Sequence, residues 1–265
     1  MIDREFRPNA LLAPYVKLIW VLETGDPGFF GDGHRILPDG IVEVVFHYGD
    51  PFVTRFADGR EQAQPRSFAI SQASRFIDIR ATGSCGLISV RFFPWGAYQF
   101  FPVPVSEFAD CQVPAEALWG KRCRELEDAV ANATTTEERV ERVERFLLEQ
   151  LALHQKEDLA PAVRYLWQRR GQVRMSEMTR ELGIGERQLQ RRFLQNIGAT
   201  PKQTARLVRF IRAYRKLCQP FESLTWAAHL SGYYDQAHFI REFKEFSGLT
   251  PRQLLSRSRV SSFEL

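Results

Sequence analysis

Two short stretches near the C-terminus place arginine or glutamine beside apolar residues at helical spacing. They are Leu189-Gln190-Arg191-Arg192-Phe193 and Phe239-Ile240-Arg241-Glu242-Phe243. The apolar side chains stand at i and i+4, so a helix would bury them on one face and turn polar side chains outward. Arginine can pair with the edge of guanine, and glutamine with that of adenine, through two hydrogen bonds in the major groove of DNA. The chemistry available to these residues is therefore base recognition.

The two stretches are parts of an internal repeat. Gly198-Ala199-Thr200-Pro201 follows the first stretch and Gly248-Leu249-Thr250-Pro251 follows the second, both at an offset of 50 residues. Upstream, Thr179 and Gly183 match Ala228 and Gly232 at an offset of 49. A glycine can adopt the left-handed backbone at which a helix ends. Each copy therefore predicts a helix, a short turn and a second helix, which is the arrangement of a helix-turn-helix unit.

Each predicted second helix has an outer face that could meet bases. These faces carry Arg187, Gln190 and Arg191 in the first copy and Gln236, Ala237, Ile240 and Arg241 in the second. We expect the surrounding cations to bind backbone phosphates, namely Arg192, Arg206, Arg209 and Lys244, with Arg212, Arg215 and Lys216 further along the helix between the units. Residues 174–216 hold 11 Lys/Arg against 3 Asp/Glu, so this region is strongly basic.

Charge divides the chain into an acidic part and a basic part. Residues 1–154 hold 16 Lys/Arg and 22 Asp/Glu, a net charge of −6, whereas residues 155–265 hold 20 and 10, a net charge of +10. The two values add up to the net charge of +4 of the whole chain. A basic module joined to an acidic one indicates that only the second meets a polyanion.

The first 95 residues predict a β-rich domain. Short apolar runs alternate with glycine- and proline-containing turns, which is typical of an antiparallel sandwich or barrel. The runs are Val16–Leu22, Ile41–Phe46, Phe68–Ile70, Phe76–Ile79 and Leu87–Phe93. The turns are Gly25–Gly28, Pro38–Gly40, Gly49–Pro51 and Asp58–Gly59. From about Gly96 onward the pattern becomes helical.

A long amphipathic helix is predicted over residues 136–154. Its apolar stripe consists of Val140, Val143, Leu147 and Leu151. The stripe could pack on its own domain or on a second copy of the chain, and we favour the second copy. The fold class expected is α+β, in three parts: a β-rich domain over residues 1–120, helices for linkage or dimerisation over 121–154, and an all-helical domain over 155–265 with two helix-turn-helix units and a linker helix.

The C-terminal part resembles a known family of regulators. Residues 156–256 resemble the DNA-binding domain of the AraC/XylS family of transcription regulators, most clearly from Gly232 to Lys244 and on to Gly248-Leu249-Thr250-Pro251. The resemblance implies seven helices whose two recognition helices enter successive major grooves of promoter DNA. It also implies base contacts from Arg187, Gln190 and Arg191, and from Ala237 and Arg241 with Gln236 beside them. Activation through RNA polymerase is the usual outcome in this family.

Three residues depart from the family pattern in the first unit. Arg174 stands where a small capping residue often begins the unit, whereas Ser223 supplies that cap in the second. Gly185 replaces a serine at the start of the first recognition helix, and Thr179 replaces an alanine. The first unit is therefore expected to be capped or docked differently.

The N-terminal part is similar to the cupin-like sensor domains that precede this DNA-binding unit. The resemblance rests on Ile36-Leu37-Pro38-Asp39-Gly40 and on Arg91-Phe92-Phe93-Pro94-Trp95-Gly96. In arabinose-type regulators such a domain binds an effector, and adjoining helices form a homodimer. Candidate residues for an unidentified small-molecule effector are Trp20, Arg35, Glu43, His47 and Arg91.

No pattern in the sequence predicts an enzyme, a cofactor or a metal site. The β-rich half offers few histidines for a metal-binding cupin, none of the four cysteines forms a Cys-x-x-Cys pair, and no phosphate-binding loop or nucleophile elbow occurs. No apolar run is long enough to span a membrane and the N-terminus lacks a signal-peptide pattern, so we expect a cytoplasmic protein.

Two alternatives remain open at this point. A DNA-repair protein could carry a borrowed domain of this type, but it would need an activated thiolate, and Cys85 lacks the neighbours of one. A cupin-like binding protein without enzymatic activity could instead use the helical tail only to oligomerise. Affinity for nucleic acid that falls steeply with salt distinguishes the regulator from the second alternative.

Overall fold

The structure is a computed structural model that describes residues 1–26, 33–71, 74–153, 159–220, 222–256 and 260–261. An N-terminal part built on two β-sheets precedes a helical C-terminal part. This confirms the predicted fold class. No helix in the described ranges has both the length and the hydropathy to cross a membrane.

The N-terminal part contains a six-stranded and a five-stranded sheet. The strands are β1 (Ile2–Phe6), β2 (Val16–Thr24), β3 (His34–Ile36), β4 (Val42–His47), β5 (Val53–Phe56), β6 (Glu61–Ala63), β7 (Ser67–Ser71), β8 (Ile77–Arg80), β9 (Cys85–Phe92), β10 (Val113–Pro114) and β11 (Val260–Ser261). Their orders are β1-β2-β9-β4-β7-β10 and β11-β3-β8-β5-β6. Among the described strands, each pairing is antiparallel except that of β11 with β3, through which the C-terminal segment joins the N-terminal part.

The first sheet is covered on both faces. On one face Leu22, Val45 and Leu87 form a buried cluster with Phe56 and Ile79 of the second sheet. On the other face the sheet packs on helical segments, which are 3₁₀ turns at Ala97–Gln99 and Val105–Phe108 and the helices α1 (Ala115–Trp119), α2 (Lys121–Asn132) and α3 (Thr136–Leu153). The central strand β9 is buried along its whole length for this reason.

The five predicted apolar runs correspond to β2, β4, β7, β8 and β9. Strands β1 and β6 have no such apolar run, because β1 is mostly exposed and β6 is a three-residue strand with two polar side chains. The predicted turn at residues 25–28 extends beyond the described residues, since 27 and 28 are not among them.

The apolar stripe of α3 packs inside its own domain. Val140, Val143 and Leu147 are buried in the same cluster as the outer face of the first sheet, and α3 packs on α2. Leu151 is partly buried at the edge of this cluster. The interpretation that favoured a second copy of the chain is therefore corrected, because the stripe is covered without one.

The C-terminal part contains seven helices in the described residues. They are α4 (Ala160–Gln168), α5 (Met175–Leu182), α6 (Glu186–Ile197), α7 (Pro201–Leu217), α8 (Leu224–Leu230), α9 (Gln236–Ser247) and α10 (Pro251–Leu255). Helices α6 and α9 begin and end 50 residues apart, whereas α5 and α8 begin 49 apart. The repeat in the sequence is thus a repeat of structure, with α7 between the two copies.

The two copies pack differently on the N-terminal part. Phe193 of α6 belongs to the same buried cluster as Phe101 and Val105, so the first copy shares its core with the N-terminal part. Phe239 and Phe243 of α9 form a second cluster with Phe210 of α7, and Leu37 is the N-terminal member of that cluster. The β-rich and the helical parts of the chain are divided near residue 155, but each of these two buried clusters contains residues from both parts.

One buried hydrogen bond fixes the start of the helical part. Tyr98 is 1% exposed, and its hydroxyl accepts from the backbone N–H of Leu159 at 2.8 Å. Tyr98→Phe would leave that buried N–H without its acceptor, so we expect the free energy of unfolding to fall by about 1–3 kcal/mol. Urea titration followed by circular dichroism measures it. Tyr234→Phe is the control, because Tyr234 is 89% exposed. Equal stability of the two variants would show that the bond contributes nothing.

Candidate nucleic-acid interface

The first helix-turn-helix unit consists of α5, a turn at residues 183–185, and α6. Gly183 ends α5 with φ of +63°, as the sequence predicted for this turn. Leu189 and Phe193 are fully buried, which fixes the face of α6 that turns inward. The predicted base-contacting residues of this helix, Arg187, Gln190 and Arg191, are all exposed.

The second unit consists of α8, a turn at residues 231–235, and α9. Phe239 and Phe243 are fully buried, and the structure leaves Ala237 and Arg241 exposed on the outer side. Gln236 is partly buried, and its Oε1 accepts a hydrogen bond of 2.8 Å from the Thr225 hydroxyl. Gln236 therefore ties α8 to α9 as well as standing beside the outer face.

The two units differ in how their helices begin. In the second unit the Ser223 hydroxyl accepts from the N–H of Trp226 at 3.1 Å, and Oδ1 of Asp235 accepts from the N–H of His238 at 2.7 Å. In the first unit, Arg174 and Gly185 occupy the same positions and provide no side-chain acceptor. Side-chain caps satisfy backbone N–H groups that a helix leaves unpaired. The sequence predicted that the helices of the first unit are capped differently from those of the second, and the structure shows this difference.

The helix after each unit begins with the same capping box. Thr200 and Gln203 exchange hydrogen bonds at the start of α7, and Thr250 and Gln253 do so at the start of α10. Sequence reasoning used the Thr-Pro pair but missed the two glutamines. The signal was available, since a threonine followed three residues later by glutamine is the pattern of a capping box.

Two of the predicted phosphate-binding arginines bind a carboxylate instead. Arg206 of α7 donates to Glu242 at 2.8 Å and to Glu245 at 2.6 Å, both on α9. Nη2 of Arg209 lies 3.7 Å from Oε1 of Glu242, and its Nη1 donates to the carbonyl oxygen of Gly171 at 3.1 Å. Glu242 is 4% exposed, so these contacts compensate a buried charge. Sequence reasoning missed the role of Glu242, because its partners lie on another helix more than 30 residues earlier in the chain.

The other cations that we expected to bind phosphates do not all lie on the same side of the C-terminal part. Lys244 is exposed on α9, and Arg192 of α6 is partly buried. Arg212 and Arg215 of α7 instead line a cavity toward the N-terminal part. The expectation that all the cations of α7 face DNA is therefore corrected for these two.

The structure brings together two of the predicted effector-binding residues. Glu43 on β4 and Arg91 on β9 are cross-strand neighbours, and Trp20 on β2 pairs in register with Ser89 beside them. Arg91 forms an ion pair with Asp39, while the Ser89 hydroxyl donates to Glu43. Burial is the main cause that raises the pKa of both carboxyl groups, Asp39 and Glu43. This polar cluster lies between the sheets.

His47 belongs to a separate buried network. Its Nε2 lies 2.8 Å from Oε1 of Gln64, whose amide donates to the Thr54 hydroxyl at 2.9 Å. Since the Gln64 oxygen can only accept, His47 carries its proton on Nε2. Burial lowers the pKa of His47 to about 4, so its ring is neutral at pH 7.

Arg35 lies apart from these groups, at the contact with the second unit. It donates two hydrogen bonds of 2.8 Å to Asp78, and its Nη1 donates to the carbonyl oxygen of Ser247 at 3.1 Å. The N–H of Phe76 donates to the carbonyl oxygen of Phe246 at 3.0 Å. The N-terminal part thus pairs two carbonyl groups of the last turn of α9. No local sequence pattern signals such a contact.

Two family models match separate stretches of the chain. Residues 4–114 match a domain of unknown function (DUF6597), and residues 178–257 match a helix-turn-helix domain. The second match covers most of α5 and all of α6 to α10, including both recognition helices. The C-terminal part of the chain therefore contains a helix-turn-helix domain.

Part of the chain is also similar to curated transcription activators. The chain is 29% identical over 83 residues to the HTH-type transcriptional activator RhaS of Pectobacterium carotovorum subsp. carotovorum, and equally to that of Pectobacterium atrosepticum. Each match covers 31% of this chain and 30% of RhaS. The chain therefore spans about three-tenths of the length of these relatives.

Among solved structures, the chain is similar to ToxT of Vibrio cholerae, at 10% sequence identity and a TM-score of 0.48. The match covers 89% of this chain and 97% of ToxT. The C-terminal domain of AraT, a response regulator from Geobacillus stearothermophilus, is similar at 23% identity and a TM-score of 0.34. That match covers 40% of this chain and 92% of the AraT domain.

The difference in capping between the units can be measured with a matched pair of variants. Asp235→Ala removes a cap and should lower the free energy of unfolding by about 1 kcal/mol. Gly185→Ser adds one and should raise it by a few tenths of a kcal/mol, because the backbone at Gly185 is extended and no atom stands within 4 Å of the added Cβ. Urea titration of both variants checks the two signs, and a loss of stability in Gly185→Ser would contradict the assignment.

The buried ring of His47 should make the protein sensitive to acid. Its pKa is about 4 in the folded chain and about 6.5 in an unfolded one, so the unfolded state binds a proton first as the pH falls. The stability linked to His47 is complete above pH 6.5 and is lost toward pH 4. Between pH 7 and pH 5 the wild type should lose about 2 kcal/mol more than His47→Asn. Unfolding titrations at both pH values measure the difference, and parallel losses would exclude this origin.

Proposed function

We propose that this chain is a sequence-specific DNA-binding transcription regulator whose helices α6 and α9 enter successive major grooves on one face of a duplex. The observation that carries the proposal is the structural repeat itself. Two units of one design bury their apolar side chains in the same way and leave Arg191 and Arg241 exposed at equivalent positions. An exposed helix face with arginine and glutamine is the form in which proteins read base edges.

The linker helix α7 supports this arrangement. Successive major grooves on one face are about 34 Å apart. A helix of 17 residues is roughly 25 Å long, so α7 is a rigid spacer of the right order between the two units. The net charge of +10 on residues 155–265 supplies the electrostatic part of the binding.

We assign base contacts to Arg187, Gln190 and Arg191 of α6 and to Ala237 and Arg241 of α9, with Gln236 at the edge of that face. We assign phosphate contacts to Lys244 and Arg192. Arg206 and Arg209 hold Glu242, so we reassign them from phosphate binding to the positioning of α9 on α7.

The N-terminal part is proposed to sense a small molecule and to transmit its presence through its contacts with both units. Since the RhaS relatives are transcriptional activators, activation through RNA polymerase is the outcome we propose. We propose a cytoplasmic location, because a regulator of this kind must reach the bacterial chromosome. A cupin-like origin of the N-terminal part and a homodimer remain predictions of the family resemblance. Analytical ultracentrifugation of the full chain tests the homodimer.

The buried thiols disfavour the repair alternative. Burial raises the pKa of Cys85 to about 12 and that of Cys123 to about 11, so both thiols are protonated at neutral pH. Alkyl transfer to a cysteine needs a thiolate, whose formation a raised pKa opposes.

Base reading can be tested at equivalent positions of the two units. Sites selected from random DNA provide the operator, and two sets of contacts about 10 base pairs apart are expected on it. Arg191→Ala and Arg241→Ala should each lose roughly 1–3 kcal/mol of discrimination between this operator and random DNA. Fluorescence anisotropy at fixed salt measures the affinities.

Arg145→Ala provides the control, because Arg145 is an exposed cation of α3 outside the helix-turn-helix domain. It should leave the discrimination unchanged. If both recognition-helix variants kept the wild-type ratio of affinities, the proposed function would be wrong. If affinity showed no steep decrease between about 50 and 200 mM salt, binding to phosphates would be excluded as well.

A further inference from the structure

The two recognition helices present different chemistry at equivalent positions. The outer face of α6 carries three hydrogen-bonding side chains, Arg187, Gln190 and Arg191. Fifty residues later, the outer face of α9 carries Ala237, Ile240 and Arg241. Two polar side chains of the first unit are thus replaced by apolar ones in the second, whereas the arginine is common to both.

Both apolar residues of α9 can be reached from the outer side. Ala237 is exposed, and Ile240 is partly exposed while it packs against the buried cluster around Phe239 and Phe243. Residues at i and i+3 are neighbours on a helix surface, and these two lie about 4.5 Å apart along the helix axis. The packing restrains Ile240, so α9 presents a small apolar surface of defined position next to Arg241.

Gln236 adds little to the hydrogen-bonding capacity of this face. Its Oε1 accepts from the Thr225 hydroxyl at 2.8 Å. Bidentate pairing of glutamine with adenine uses both the oxygen and the nitrogen of the side-chain amide. One of these two atoms is therefore already engaged with α8, and Arg241 is the exposed side chain of this face that can pair with a base edge.

Leu194 of α6 does not form a corresponding surface in the first unit. It is 45% exposed, but it lies one turn beyond Gln190, at the position where α9 has Lys244. Recognition helices contact base edges with their N-terminal residues. At the positions that meet bases, the apolar surface is therefore specific to the second unit.

An apolar side chain distinguishes bases by a different feature from an amide. In the major groove thymine presents a C5 methyl group, which the other three bases lack. Alanine and other apolar side chains contact this methyl group. A donor or acceptor of another base would lose its water against the same surface without gaining a partner. Such a surface therefore favours thymine and disfavours the other bases.

We propose that Ala237 and Ile240 recognise thymine methyl groups, so that α9 reads thymine next to the base that Arg241 contacts, whereas α6 reads its half-site through hydrogen bonds. The inference rests on the proposed function and adds the identity of bases to it. Successive base pairs are about 3.4 Å apart, close to the spacing of the two side chains. Two neighbouring thymines therefore fit this surface.

The test removes the methyl group from the DNA. Deoxyuridine pairs like thymidine but lacks the C5 methyl group, so each thymine of the selected operator is replaced by uracil in turn. Fluorescence anisotropy at fixed salt measures the affinity of the full chain for each duplex. At one or two positions the replacement should weaken binding about three- to fivefold, which is the effect of one methyl group that is no longer buried.

Three variants assign this dependence to α9. Ile240→Gln introduces the residue that α6 has at the equivalent position, and it should bind the thymine and uracil duplexes with equal affinity at one of these positions. Ile240→Val keeps a branched apolar side chain and should retain a ratio of about twofold or more. Gln190→Ala is the matched control in the first unit, which should weaken binding of both duplexes and leave their ratio as in the wild type. Circular dichroism verifies the fold of each variant.

The outcomes separate this inference from the proposed function. A wild-type chain that prefers the operator to random DNA, but binds every uracil duplex as tightly as the thymine duplex, would overturn the inference and retain the function. An Ile240→Gln variant with the wild-type ratio would overturn it as well and would leave the apolar surface to a protein partner. A chain without any preference for the operator would lose both.

Discussion

The orientation of the second recognition helix depends on one buried carboxylate. Glu242 lies on the inner side of α9, where Arg206 donates to it and Arg209 brings a second positive charge close. Removing one partner of a buried ion pair leaves an uncompensated charge and costs more free energy than the pair itself contributes. Helix α9 therefore cannot rotate on α7 without separating these charges. The direction in which Arg241 points is fixed by the same constraint.

Both parts of the chain pack against the linker helix α7. Its Phe210 packs with the aromatic side chains of α9, and its Arg212 and Arg215 face the N-terminal part. Leu37, in the loop before β4, packs into the cluster around Phe210. The same loop contains Asp39, which is paired with Arg91 between the sheets. A continuous path of packed groups thus connects the interior of the N-terminal part to the spacer between the two units.

Local patterns in the sequence predicted most of the C-terminal part. The 50-residue repeat, the turn glycines and the caps depend on neighbours in the chain, and these are visible in one sequence. The orientation of α6 could be predicted from Leu189 and Phe193 for the same reason. The roles of Arg206 and Arg209 could not, because their partner Glu242 lies more than 30 residues away and a basic helix has the same composition whether its cations face DNA or a carboxylate.

The N-terminal part was predictable in class but not in detail. Strands with buried apolar runs, such as β9, are visible in the sequence, whereas β1 is exposed and has no hydrophobic pattern. Which of the candidate polar residues meet depends on strand register. Glu43 and Arg91 come together because β4 and β9 pair there, while Arg35 lies on the other sheet and faces α9. Pairing between distant strands carries no signal in composition or spacing.

The contact that Arg35 and Phe76 make with the last turn of α9 has a consequence for the independence of the two parts. A helix normally satisfies its terminal carbonyl groups with its own following residues or with water. Here two of them are satisfied by donors about 170 to 210 residues earlier in the chain. A different sensor fused ahead of the same helices would have to present donors at these two points. Exchange of modules between regulators would therefore succeed only with partners that reproduce this capping surface.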